Sequence, residues 1–138
     1  MAAVIESEGQ FLVVEETQDN RTVINQPAGH LEHGESLHAA IIREVREETA
    51  WEFTPEAIIG IYRWPNTDRD KTYLRICYSG FVDNHDTHRE LDKAIIAARW
   101  LSYDDILSKP HRSPLVKNCF EDYLSGHRYP LAICNDIS

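Results

Sequence analysis

The chain has 138 residues, 42% of them hydrophobic and 27% charged, and a formal net charge of −9 at pH 7. This length fits one domain, residues 1–138, around one sizeable core. The acidic balance excludes generic binding to nucleic acid or anionic membranes, which needs basic patches, and no run of about 18 apolar residues is present to make a helical membrane span.

The N-terminal Met1 to Glu6 lacks a basic region followed by a long apolar one, so no secretory signal is read there. Cys77, Cys119 and Cys134 have neither CxxC nor Cys/His ligand spacing. Three widely spaced cysteines are the expectation for reduced thiols in a cytoplasmic protein.

In chain order, Ala2 to Glu6 and Phe11 to Glu16 read as two strands of a hairpin turning at Glu8-Gly9. The first strand looks curtailed, so the expectation is either a short edge strand or a native start a few residues upstream. Such an edge is one that another chain can pair with; the oligomeric state itself is not legible. Asp19-Asn20 marks a polar turn, and Thr22 to Asn25 a third strand. Pro27 forces extended geometry on Gln26. Gly29 offers a backbone that can approach a ligand, and Ser36 is a helix N-cap.

A helix is predicted from Ser36 to Thr49, with Leu37, Ile41, Ile42 and Val45 as its apolar stripe. Strands follow at Ile58–Trp64, Thr72–Val82 and Ile95–Leu101, with a turn at Asn66–Asp70 and a polar loop from Asp83 to Asp92. Tyr103–Leu107 is a short helix. Ser113-Pro114 opens a last helix that Gly126 ends, and Arg128–Ile133 is an extended tail. Strands and helices in this order predict an α+β sandwich with helices packed on a mixed sheet.

Glu44, Glu47 and Glu48 stand at i, i+3 and i+4 of the first helix. They fall within an arc of about 100° on one face. Like charges at that spacing repel. A solvated helix face is the bland account of such a charge run; the chemical account is a hard divalent cation with oxygen ligands, magnesium being the one that accompanies phosphates.

The surrounding residues favour the second account. Gly29, Glu35, Arg43, Glu44, Val45, Glu47, Glu48 and Trp51 resemble the Nudix box, Gly-x5-Glu-x7-Arg-Glu-U-x-Glu-Glu-x-Gly-U with U a bulky apolar residue. One position departs: Ala50 stands where the family has glycine, at the close of the helix. A left-handed conformation there costs alanine about 1 kcal/mol. Phe11–Thr17, Asn25–Glu32, Arg112–Val116 and Ser125–Leu131 are similar to a bacterial phosphatase branch of the same family, whose members start several residues earlier.

The resemblance implies a Nudix-type α/β/α sandwich with the box helix on one face of a mixed sheet. It implies magnesium-dependent hydrolysis of a small-molecule pyrophosphate, manganese being able to substitute. Nucleoside di- and triphosphates and thiamine-pathway pyrophosphates are the implied substrates. Two alternatives stand beside it: a mutator-type nucleoside triphosphatase that releases pyrophosphate, and a non-catalytic nucleotide-binding module.

By the same resemblance, Glu44, Glu47, Glu48 and the Gly29 carbonyl are metal ligands. Glu47 or Glu48 is the base, with Asp83, Asp86 or Glu90 of the polar loop held open. Arg43 orients Glu47, and Glu35 braces the loop and helix. For substrate, Arg75 and Arg112 are phosphate contacts, and Trp64 or Tyr62 stacks a base. Solvent exposure or ordinary packing is the alternative for each of these. His30, His33 and His38 are expected to be solvated.

Overall fold

Two tight turns with positive φ organise the start of the chain. In the computed structural model, which describes residues 1–137, β1 (Ala2–Ser7) and β2 (Gln10–Gln18) join through Glu8 and Gly9, at φ 51° and 79°. β2 then joins β3 (Arg21–Asn25) through Asp19 and Asn20, at φ 51° and 63°. Paired left-handed residues suit two-residue hairpin loops, because their twist matches that of the strands.

β4 (Glu52–Asn66) and β5 (Lys71–Asp83) form a long antiparallel hairpin around a 3-10 turn at Thr67–Arg69. β5 also runs parallel to β1, Ala2 facing Cys77 and Ile5 facing Gly80. The sheet is therefore mixed and six-stranded, ordered β3-β2-β1-β5-β4, with β6 (Ile95–Leu101) on the other edge of β2. β1 lies between β2 and β5, so it is not the edge strand that its shortness indicated.

Helices cover both faces. α1 (Leu37–Thr49) packs Ile41 and Val45 against Ala3, Ile5, Leu12, Ile58 and Tyr78. On the opposite face, α2 (Tyr103–Leu107) and α3 (Pro114–Leu124) bring Ile106, Val116, Cys119 and Phe120 to Val4, Phe11, Val13 and Cys77. Consecutive residues of β1 thus serve opposite cores, as they must in a sheet buried on both sides. Phe11 meets Phe120 edge-on at 5.0 Å. Among the described residues no helix is long and apolar enough to cross a membrane.

Two boundaries differ from expectation by more than two residues. β4 begins at Glu52, not Ile58. Its first half carries Pro55 and polar residues, yet pairs with β5 through register shifts at Pro55/Ala57 and Ile58/Gly60; a bulged edge strand tolerates the missing proline donor. The tail is extended only through Pro130. Tyr129 exchanges hydrogen bonds with Ile58 at 2.9 and 2.8 Å, and Leu131–Ile133 then makes a 3-10 turn.

The 84–94 loop is fastened to the end of α1. Asp86 N donates to Ala50 O (2.9 Å) and Asp92 N to Glu47 O (2.8 Å), satisfying carbonyls that the helix end leaves free. Trp51 stacks on His85 at 4.5 Å.

Candidate active site

α1 starts where Ser36 accepts the Ala39 N–H at 3.0 Å and ends where Ala50 adopts φ 64°, ψ 16° and donates to Arg46 O. The alanine takes the left-handed conformation that glycine occupies at no cost. The helix end is thereby kept, and with it the turn into Trp51.

Arg43 is the hub of the acidic face. Its Nε and Nη2 donate to Glu35 at 2.6 and 3.0 Å, its Nη1 to Glu44 at 2.7 Å and Glu47 at 3.2 Å, and Nη2 also to His30 O at 3.0 Å. The bidentate fork to Glu35 is the strongest geometry in this set, so Arg43 leans on Glu35 more than on Glu47. The Arg43 bond, with the Glu32 N–H, holds the Glu35 carboxyl below the usual carboxylate range.

Glu44 and Glu48 are 7% and 5% exposed, on the inner side of the helix. Charged groups are almost never so buried without a partner. Desolvation raises the Glu44 carboxyl, opposed by Arg43. Desolvation pushes Glu48 up to about 8; the Ala28 N–H, at 2.9 Å from Oε1, opposes this, and the charges of Glu44, Glu16 and Asp92 add to it. Gly29 presses on the same point: a β-carbon there would lie 2.1 to 2.3 Å from the Glu44 carboxyl atoms. The Gly29 carbonyl accepts the Met1 amino group at 2.8 Å. Glu47 is the more open carboxylate, 36% exposed at its side chain.

This donor set is all oxygen, two of its carboxylates are desolvated, and a backbone is packed onto one of them. That chemistry fits a hard cation. Among the described residues no three acidic, histidine or cysteine side chains converge as ligands, since Glu44 and Glu47 turn to Arg43.

Beside Ala28 and Gly29 opens a cleft whose walls include Glu16, Trp64, Tyr73, Arg75 and Arg112. Three of the four substrate-contact candidates, Arg75, Trp64 and Arg112, reach it from separate elements. Arg75 is held by Gln26 Oε1 at 2.7 Å and Asn25 Oδ1 at 3.4 Å. Gln26, fully buried, is itself fixed to Val116 O at 2.8 Å. Trp64 stacks on Tyr73 across the β4–β5 hairpin at 5.6 Å. Arg112 donates to Glu16 at 2.7 Å, while its main chain and that of Pro110 pair with Ile24.

Tyr62 is excluded from the cleft: it packs against the α3-side core and its hydroxyl donates to Asp122 at 2.6 Å. His38 is not solvated as expected but shares a 2.8 Å hydrogen bond with the Tyr78 hydroxyl. Of the loop acids, Asp92 adds its charge to the Glu48 shift, and Asp86 caps its own turn by accepting from His88 N.

Sequence reasoning missed Glu16, Asn25 and Gln26. Glu16 had a signal: it continues the face on which Leu12 meets the α1 core, so strand alternation turns it inward.

The NUDIX domain model matches residues 1–120. The chain is 38% identical to Phosphatase NudJ of Escherichia coli K12, over all of this chain and 90% of that protein. A NUDIX hydrolase from Nitrosomonas europaea superposes with a TM-score of 0.95 at 48% identity, covering 99% of this chain and 94% of the other. A MutT protein from Methanosarcina mazei is similar at TM-score 0.71 and 26% identity, over 90% of each chain. With its box helix, its mixed sheet and its whole length accounted for, the chain belongs to the Nudix hydrolase family.

Proposed function

We propose that the protein hydrolyses organic pyrophosphates with magnesium, nucleoside di- and triphosphates first among them and thiamine-pathway pyrophosphates as further substrates. The observation that carries this reading is the junction of two unlike surfaces. Desolvated Glu44 and Glu48 sit directly behind Ala28–Gly29, at the end of a cleft walled by Arg75, Arg112 and stacked Trp64.

Glu44, Glu48 and the Gly29 carbonyl would hold the cation, with Glu47 as a further ligand. When bound, magnesium supplies charge neutralisation to the diphosphate and lowers the pKa of a water. The remaining work falls to the chain. Arg43 keeps Glu44 and Glu47 compensated and directed, while Glu35 keeps Arg43 in place. Arg75, anchored by Asn25 and Gln26, presents its remaining N–H groups to a phosphate. Arg112, held beside Glu16, presents a second cation at the start of α3. Water attacks phosphorus, the bridging P–O bond breaks so that the other phosphoryl group leaves, and a carboxylate takes the proton of the water: Glu47 as the open one, or Glu48. Trp64 offers a face on which an aromatic ring can stack.

The test is a panel of nucleotides and thiamine-type pyrophosphates assayed separately for phosphate and for pyrophosphate. Magnesium-dependent phosphate release is the expected result. Pyrophosphate as sole product from triphosphates moves the protein to the mutator-type reaction. Tight magnesium-dependent binding with no turnover on any substrate overturns the reading in favour of a binding module.

A further inference from the structure

We propose that the cleft continues past Trp64 into a second recognition site, which takes a phosphoryl group carried on the sugar of the substrate, away from the scissile pyrophosphate. A second depression shares Gln18, Trp64, Arg112 and Ser113 with the main cleft, so the two adjoin at these residues. Beyond that shared wall it is bordered by Arg21, Lys117 and the Asn118 amide, and by no carboxylate. In a chain of net charge −9, a concave surface lined only by cations and neutral groups runs against the overall field, and an anion is its natural complement.

The cations there are free to act. Arg21 makes no ion pair among the described residues. Lys117 meets only Glu121, one turn along α3 at 3.6 Å, with both side chains more than half exposed; a pair of that kind contributes little and exchanges readily. Arg112 is turned instead to Glu16 on the main-cleft side.

The cations are also well placed. Arg21 pairs with Gln18 across the β2–β3 turn, Lys117 lies on α3, and the segment joining α2 to α3 is pinned to β3 by the Ile24 hydrogen bonds. Two cations from different elements, with an amide donor on the same wall, suit the several oxygens of a phosphoryl dianion better than a single carboxylate. Oriented to satisfy both groups, the Gln18 amide accepts from Arg112 Nε and donates to the Arg112 carbonyl, each at 3.2 Å, and so stiffens the border between the two sites.

A nucleotide whose base lies on Trp64 would then have its pyrophosphate toward Gly29 and its sugar-borne phosphate toward Arg21 and Lys117. This inference rests on the pyrophosphatase reading of the main cleft.

The experiment compares ADP with adenosine 3′-phosphate 5′-diphosphate, for the wild type and the Arg21→Gln/Lys117→Gln double variant. The 3′-phosphate should lower KM about tenfold in the wild type, the scale of charge-assisted phosphate contacts. The double variant should lose that advantage while its KM for ADP moves by less than about twofold, as befits two exposed charges outside the main cleft. Equal KM values in the wild type, or an advantage that survives both substitutions, overturn the proposal.

If neither nucleotide is hydrolysed, it is the pyrophosphatase reading that has failed; the same comparison of calorimetric dissociation constants then decides the second site without turnover. Titration with inorganic phosphate separates the remaining source. Binding of phosphate alone that depends on Arg21 and Lys117, with no preference between the two nucleotides, overturns the substrate-borne assignment.

Discussion

A β-carbon on Gly29 would lie 2.1 Å from the carboxyl carbon of Glu44, so the turn before α1 and the helix meet where only glycine leaves room. The contact sets the backbone of one element against the carboxylate of another. Gly29→Ala must displace Glu44 from both the turn and Arg43. We expect a loss of kcat/KM of about tenfold to a hundredfold on the best pyrophosphate substrate, the upper figure being the effect of misplacing a catalytic group by about 1 Å, with the circular dichroism spectrum retained. Unchanged turnover would show that Glu44 does not need this position.

Glu48 links the site to pH. Its carboxyl is raised from 4.5 to about 8 in the fold, by desolvation first. A raised carboxyl binds its proton more tightly when folded, so its contribution to stability is fully present below pH 4.5 and is lost as pH rises through about 8. In EDTA, urea denaturation should therefore show the wild type weakening across that window. Glu48→Gln, which cannot ionise, should weaken less. Magnesium should restore the wild type at the alkaline end by binding the folded state, and leave the variant nearly unmoved. Turnover of Glu48→Gln should fall by orders of magnitude. A metal-free wild type and variant with parallel stability profiles would contradict the assignment of Glu48 as a desolvated ligand.

Ala50 stores strain that can be removed. With φ at 64°, Ala50→Gly should raise stability by about 1 kcal/mol, visible as a higher denaturation midpoint with an unchanged slope. Because Ala50 already closes α1 in the left-handed form, kcat should stay the same. A large gain in kcat would mean that alanine distorts the carboxylates after all.

Trp64 makes a prediction about ring recognition. Trp64→Ala removes the face stacked on Tyr73 and should raise KM for nucleoside diphosphates about tenfold, the worth of a base–aromatic stack. KM for a ring-free pyrophosphate ester should hardly change. An equal rise for both kinds of substrate would assign Trp64 to packing of the hairpin.

Much of the local structure was legible. The α1 boundaries, the Ser36 and Ser113 caps, the Gly9 and Asn20 turns and β6 follow from capping chemistry, positive-φ preferences and alternation, each decided by residues near in sequence. β4 was not: Pro55 and its polar neighbours argue against a strand, and only the hydrogen bonds that β5 supplies make Glu52–Ala57 one. The pinning of the 84–94 loop onto Glu47 and Ala50 was equally hidden, because it spends backbone groups, which leave no mark on residue identity.

The same division runs through the site. By itself the sequence determined the row of carboxylates, since Glu44, Glu47 and Glu48 share a helical face through the 3.6-residue period alone, and it determined the glycine and arginine in register with them. The tertiary structure decided which of the three is open, that Arg43 answers first to Glu35, that Tyr62 belongs to the core, and that Glu16, Arg75, Trp64 and Arg112 border one cleft. The physical reason is distance along the chain. A helix period acts over one turn, whereas the cleft is walled by residues from Met1 to Leu115, and only the packing of both cores against the sheet brings those residues together.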